Sequence, residues 1–441
     1  MNSELQPYCI QNDKIIFNAK FNDGIETYHD KIMNCDELIF SNYDDIKLIA
    51  KTSNEREEKY EENFMGSKFN KCVENKLPPS IKVIRFGWRF NRDVLGLPSE
   101  LEQIYFGYKF NKPIDNLPPT LVVMKFGDCF NQKINNFPPK LEKLIFGYNY
   151  DWNIKNLPPS LTYLEFGENF NHDVKFHPML NTLVFGNNFN MFVEIFPENL
   201  NHLEFGKNFN QPINELPHNL TYLRFGEKFN QTINELPHNL TYLRFGCNFN
   251  TILPQLPPKL KELILGTTFN HPLGKLPNSL TGLFLAGKFN HPLGELPSEI
   301  KKLSLGRSFN QPLHIKSNLK YLMLGENFNQ EIDIPPTLIL YINCNTNIIE
   351  HLPNGVEDLS FGDKFNQEVN NLPSGIKYIR FSPYGFFDKE LNNLPNSIEI
   401  IELNKMYDRE IKNIPKNLKI LKCSKNYPYL KNFVAYTIET Y

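Results

Sequence analysis

The sequence predicts a mainly β solenoid, a stack of short coils rather than a packed globule, and three observations predict it. The segment ELPHNLTYLRFG at 215–226 returns letter for letter at 235–246. A proline recurs every twenty residues, at Pro78, Pro98, Pro118, Pro138, Pro158 and Pro178, and again from Pro197 to Pro297. A Phe-Asn pair keeps the same period, as at Phe229-Asn230 and Phe249-Asn250. A fixed period in this range marks repeats that each bury an apolar face only against their neighbours.

The elements of one coil follow from its residues. Leu216, Leu220, Leu223, Phe225, Phe229 and Ile233 are the apolar positions, and their spacing fits neither a helical stripe nor one long alternating strand. Only Leu223-x-Phe225 alternates, which predicts a short strand with both side chains inward. Pro217 removes a backbone donor and disfavours helix at the residue before it, so the Leu-Pro step reads as an extended, polyproline-like return. Gly226 closes the strand where the chain must bend, in a conformation expected to be costly for a residue with a Cβ. The Asn after each inward Phe is expected to be buried and to bond the turn of the adjacent coil. Asn210, Asn230, Asn250, Asn270 and Asn290 then form a structural ladder.

In chain order, residues 1–64 stand outside the regular array. They contain Phe17-Asn18 and Phe21-Asn22, a strand-like 37–40, the acids Asp44 and Asp45, and a charged run from Asn54 to Glu62 that reads as a solvated face. An N-terminal cap is expected there, because a first coil exposes a raw apolar face. The solenoid spans 65–425, loosening after Phe309-Asn310, where Ile315-Lys316 replaces the Leu-Pro step and the unit around Ile342 to Ile348 lacks Phe-Asn. Residues 426–441 are expected to form a C-terminal cap.

Composition narrows the function classes. Lys+Arg 47 against Asp+Glu 49 gives a net charge of -2, so no overall field favours nucleic acid or an anionic membrane. The start MNSELQPYCI has no signal-peptide pattern and no later stretch is apolar for long enough to span a bilayer. Cys9, Cys35, Cys72, Cys129, Cys247, Cys344 and Cys423 are scattered and odd in number, which predicts free thiols in a reducing, cytoplasmic setting. No residue pattern points to catalysis, a cofactor or a metal. His218 with His238, and His271 with His291, occupy equal coil positions, which duplication alone explains.

The unit LPHNLTYLRFGEKFNQTINE, with FNQPI at 209–213 and FNHPL at 269–273 and 289–293, closely resembles the FNIP repeat, a relative of leucine-rich repeats found in social amoebae and in giant viruses that infect amoebae. The resemblance covers roughly 65–425. It implies a leucine-rich-repeat-like right-handed solenoid with a parallel sheet on the concave face and an irregular convex side. Members often carry an F-box before the repeats; residues 1–64 show no Leu-Pro step followed by amphipathic helices, hence no clear F-box.

Strand residues flanking the inward Leu point out from the sheet. Tyr163, Glu165, His202, Glu204, Tyr222, Arg224, Tyr242 and Arg244 are therefore the expected partner-binding residues on the concave face. The function expected is a non-enzymatic, monomeric interaction scaffold for a protein partner, with no nucleic acid and no membrane. The competing class is a substrate receptor of a ubiquitin ligase with a diverged N-terminal region; a carbohydrate-binding module would need aromatic rows, which the mixed column Val184, Glu204, Arg224, Arg244, Ile264 does not supply.

Overall fold

The computed structural model describes residues 7–43, 66–114, 116–317, 319–330, 337–344, 349, 352 and 354–441. Asp44, Asp45, the run 54–62 and part of the 342–348 unit lie outside the described residues. The chain is mainly β, a parallel-strand solenoid of about twenty coils. Among the described residues, helix is confined to short turns such as Ile25–Tyr28, His29–Ile32 and Leu430–Phe433. Two compact units divide it, residues 1–226 and 227–441.

The first unit opens with an antiparallel hairpin, β1 (Tyr8–Gln11) on β2 (Lys14–Phe17), after which the strand pairings among the described residues are parallel. β3 (Glu37–Phe40) lies on β2 and pairs with Val83–Arg85, then Gln103–Tyr105, Val123–Lys125, Lys143–Ile145 and onward to Tyr222–Arg224. Each coil makes two tight turns. In one, the Pro217 carbonyl accepts from Leu220 N at 3.1 Å; in the other, the Gly107 carbonyl accepts from Phe110 N at 3.2 Å. Proline, with its φ preset and no N–H to satisfy, suits the first turn of this kind.

The glycine that ends each strand works differently from the sequence expectation. Among the described glycines, positive φ occurs at Gly66, Gly96, Gly274, Gly287 and Gly294, not at Gly226. A Cβ on Gly226 would lie 2.0 Å from the carbonyl oxygen of Gly206, and on Gly127 2.1 Å from that of Gly107. Close approach of successive coils, not backbone conformation, requires glycine there.

The core is a set of columns running through the coils. Ile84, Ile104, Met124, Leu144, Leu164, Leu183, Leu203 and Leu223 are all fully buried at the strand centre. Beside them run two stacked rows of rings. Phe106 lies 3.9 Å from Phe110 within its coil and 5.4 Å from Phe126 in the next, with planes within 13°. Such offset stacks add about 0.5–1.5 kcal/mol per pair beyond area burial. The rows begin before the regular array: Phe17 and Phe21 stack at 4.1 Å, and Phe21 meets Phe69 at 5.7 Å.

The second unit repeats the plan from Tyr242–Arg244 through Glu262–Leu265, Gly282–Leu285 and Lys302–Leu305. Where the sequence period loosens, register survives: Leu322 aligns with Leu340, Leu340 with Leu359, and Ile379 with Ile401. The strands keep their partners while the returns between them absorb the change in length. At the end, Thr437–Thr440 pairs parallel with Ile420–Cys423.

Candidate functional site: the exposed face of the sheet

A three-residue strand presents its middle side chain inward and its two flanking side chains outward. The two flanking columns are half-buried at most coils and exposed at Arg224, Arg244 and Lys302, and in the first unit they are linked to one another. Tyr163 donates its hydroxyl to Glu165 Oε2 at 2.7 Å, and Lys143 Nζ sits 4.5 Å from the Tyr163 ring centre. Across register, Tyr163 aligns with Thr182 and His202 with Tyr222.

His202 is the hub of this face. Its ring lies 4.1 Å from that of Tyr222 with planes at 5°, and its Nε2 donates to Glu204 Oε1 at 2.9 Å. Arg224 NH1 donates to the other carboxylate oxygen at 3.0 Å. The hydrogen bond from His202, with the charge and hydrogen bond of Arg224, holds the Glu204 carboxyl below the usual range, against the opposite push of burial. The structure thus brings His202, Glu204, Tyr222 and Arg224 together and joins Tyr163 to Glu165.

In the second unit, Tyr242 is half-buried and Arg244 exposed. Glu262 pairs with Lys302 Nζ at 3.6 Å, two coils further on. Arg244 forms no salt bridge among the described residues. Further along, Arg380 NH1 contacts Asp358 at 2.6 Å, in the same diagonal register as Arg85 with Glu37 at 2.8 Å.

The Asn ladder runs along the edge of the coils, and its geometry departs from the expectation in one respect. Asn190 Oδ1 accepts from Asn210 N at 2.8 Å, Asn230 Oδ1 from Asn250 N at 2.8 Å, Asn250 from Asn270 at 2.9 Å and Asn270 from Asn290 at 3.0 Å. Yet Asn230, Asn250, Asn270 and Asn290 are exposed and Asn210 half-exposed. The side chain reaches along the surface to a turn N–H, so the ladder ties coil to coil without being core.

One structural role escaped sequence reasoning. The residue after each Phe-Asn often donates to the preceding coil's Asn carbonyl: Arg92 Nε to Asn70, Trp152 Nε1 to Asn131, and His172, His271 and His291 Nε2 to Asp151, Asn250 and Asn270. The shared signal was a side-chain N–H at one coil position. His271 and His291 thereby spend Nε2 on backbone, and among the described residues no group of three His, Cys, Asp or Glu could hold a metal ion. No helix of the described residues is long and apolar enough to cross a membrane.

Comparison with known proteins agrees with this architecture. The FNIP Repeat model matches residues 69–109, 93–129, 110–149, 130–169, 192–228, 209–248, 229–268, 289–317 and 345–384. Among solved structures, the chain is similar to CroV588, a circular leucine-rich-repeat protein of the giant virus CroV, at 30% identity and a TM-score of 0.57 over 96% of this chain and 77% of that one. It is similar in fold to YopM from Yersinia enterocolitica, at 22% identity and a TM-score of 0.53 over 79% of each chain. Among curated proteins no relative matches. With repeat matches over more than half of its length, the chain belongs to the FNIP repeat family.

Proposed function

We propose that this protein is a non-enzymatic scaffold that binds a protein partner through the exposed face of its sheet. The observation that supports this reading is the contrast between columns of one strand. The inward column of the first unit is fully buried and always aliphatic, Ile, Met or Leu, while the flanking columns change from coil to coil through Gln, Val, Lys, Tyr, Thr and His. A fixed core carrying a varied, regularly spaced face is the form repeat proteins use for extended binding surfaces. The face is also preorganised: Glu204 is held by His202 and Arg224, and Tyr222 by His202, so little ordering remains to oppose association. Tyr and Arg are favoured anchors at such interfaces.

The test is affinity purification with mass spectrometry using the intact chain and the Tyr163→Ala/Tyr222→Ala variant. Partners captured by the intact chain should be lost from the variant, with the melting temperature nearly unchanged because neither ring belongs to the core. Partners that survive the double substitution place recognition elsewhere.

A further inference from the structure

The turn edge of the first coils differs from the same edge further along. The Phe-Asn pairs flanked on both sides by a cation are Phe69-Asn70, Phe90-Asn91 and Phe110-Asn111, in the segments SKFNKC, WRFNRD and YKFNKP. These segments hold six cations against one carboxylate, Asp93, in a chain whose net charge is -2. The coils align them: Arg89 N donates to the Ser67 carbonyl and Lys109 N to that of Trp88, while Asn91 and Asn111 follow Asn70 on the ladder. Lys68, Arg89 and Lys109 therefore form one file and Lys71, Arg92 and Lys112 a second, with coils about 4.8 Å apart.

Stacked like charges oppose one another. At the position of Arg89 and Lys109, later coils carry Asn149, Asn169, Asn188 and Asn208, and the amides of the last three each donate to the one before at 3.0–3.3 Å. A self-satisfying residue is thus available at this position and is absent from the first coils. Nearby cations are paired, Lys76 with Glu26, Lys82 with Glu102 and Arg85 with Glu37, yet none of the six forms an ion pair among the described residues. Five of the six are exposed.

We propose that this double file of cations docks an acidic protein segment, at a surface distinct from the sheet face. An extended acidic chain points successive side chains to opposite sides and can serve two files at once. Single-stranded nucleic acid presents one file of phosphates and calls for open ring faces. Trp88 does not offer them, since it lies flat on Tyr108 at 4.1 Å and a Cβ added to Gly66 would be 3.3 Å from the indole.

Fluorescence anisotropy of a labelled octaglutamate peptide, with a labelled thymidylate dodecamer in parallel, tests this on the full chain. The peptide should bind saturably and weaken as salt rises. The Lys68→Gln/Arg89→Gln/Lys109→Gln variant should bind about tenfold more weakly, and Lys71→Gln/Lys112→Gln should also lose affinity. The Arg89→Asn/Lys109→Asn variant, which copies the later coils, should melt no lower than the parent while binding the peptide severalfold more weakly. Binding of neither probe, equal or tighter binding of the dodecamer, or peptide affinity unchanged in the triple variant would each overturn the proposal.

Discussion

The coils of the first unit and those from Glu262 to Leu324 in the second are built alike around different cores. In the first, phenylalanine stands at the end of the strand and again in the turn, so that Phe126 touches rings on three sides: Phe130 at 4.0 Å, Phe106 at 5.4 Å and Phe146 at 5.7 Å. In that stretch of the second unit, Leu265, Leu285, Leu305 and Leu324 take the strand-end position, each at most 1% exposed, with phenylalanine holding it before the stretch at Phe245 and after it at Phe361 and Phe381. Only the turn row of rings continues there, from Phe249 through Phe269, Phe289 and Phe309 to Phe328, at 5.9–6.2 Å. The strand-end position therefore demands burial, and in these coils the turn position keeps a flat ring. Aromatic stacking at the strand end is an addition that the fold can lose.

The strongest way to break that comparison is truncation. Phe126→Ala should destabilise by about 3–5 kcal/mol and Leu285→Ala by about 2–5 kcal/mol, read from denaturant unfolding of the intact chain. The same truncation in the turn row, Phe289→Ala, should fall at the upper end of this range. A loss below about 1 kcal/mol at Phe289 would mean that the turn row is not what holds the second unit's coils in place. Exchange is gentler: Phe126→Leu gives up about 0.5–1.5 kcal/mol of ring attraction, whereas Leu285→Phe should cost about 1–3 kcal/mol through overpacking. If Leu285→Phe stabilises the chain, room for the second ring row exists throughout and the two cores are not alternatives.

Much of this architecture was legible because its cause is periodic. Proline, glycine, Leu-x-Phe and Phe-Asn each return every twenty residues, so the strand, the two turns and the return could be read before any coordinate was known. Where the physics did not depend on the period, the reading stopped short. Phe17 and Phe21 looked detached because residues 44–65 separate them from the array in sequence, yet their rings head the stack. The glycine at the strand end was legible as a requirement but not as a reason, since close approach between coils is invisible in one coil's sequence. At the candidate face, alternation told which side chains point outward. It could not tell that His202 would stack on Tyr222 while holding Glu204, because that depends on side-chain direction across coils.

The edge ladder offers a sharper test, since it is shared by both units. Asn111 Oδ1 accepts from Asn131 N at 2.9 Å and Gln132 Nε2 at 3.0 Å. Asn290 Oδ1 accepts from Asn310 N at 2.8 Å and Gln311 Nε2 at 3.1 Å. With equal partners and solvent at hand to replace them, Asn111→Ala and Asn290→Ala should each cost about 0.5–1.5 kcal/mol. Unequal losses would show that the core difference reaches the edge.

The smallest expected effect lies on the sheet face and asks whether face and core are independent. Glu204 has a folded-state pKa below its unfolded value, held there first by the hydrogen bond from His202 and then by Arg224. Its contribution to stability is therefore fully present above the unfolded carboxyl value, about 4.3, and is lost as pH falls through the folded one. For a partly exposed pair this amounts to no more than about 1 kcal/mol. Glu204→Gln should remove that part of the acid-side slope and leave stability at higher pH reduced by the same amount. Phe126 lies four coils away, about 19 Å at strand spacing, so Phe126→Leu should leave the slope intact and the double variant should be additive within about 0.5 kcal/mol. Non-additivity would mean that a ring removed from the core changes how His202 and Arg224 hold their carboxylate, and the exposed face would then be tuned by the column behind it.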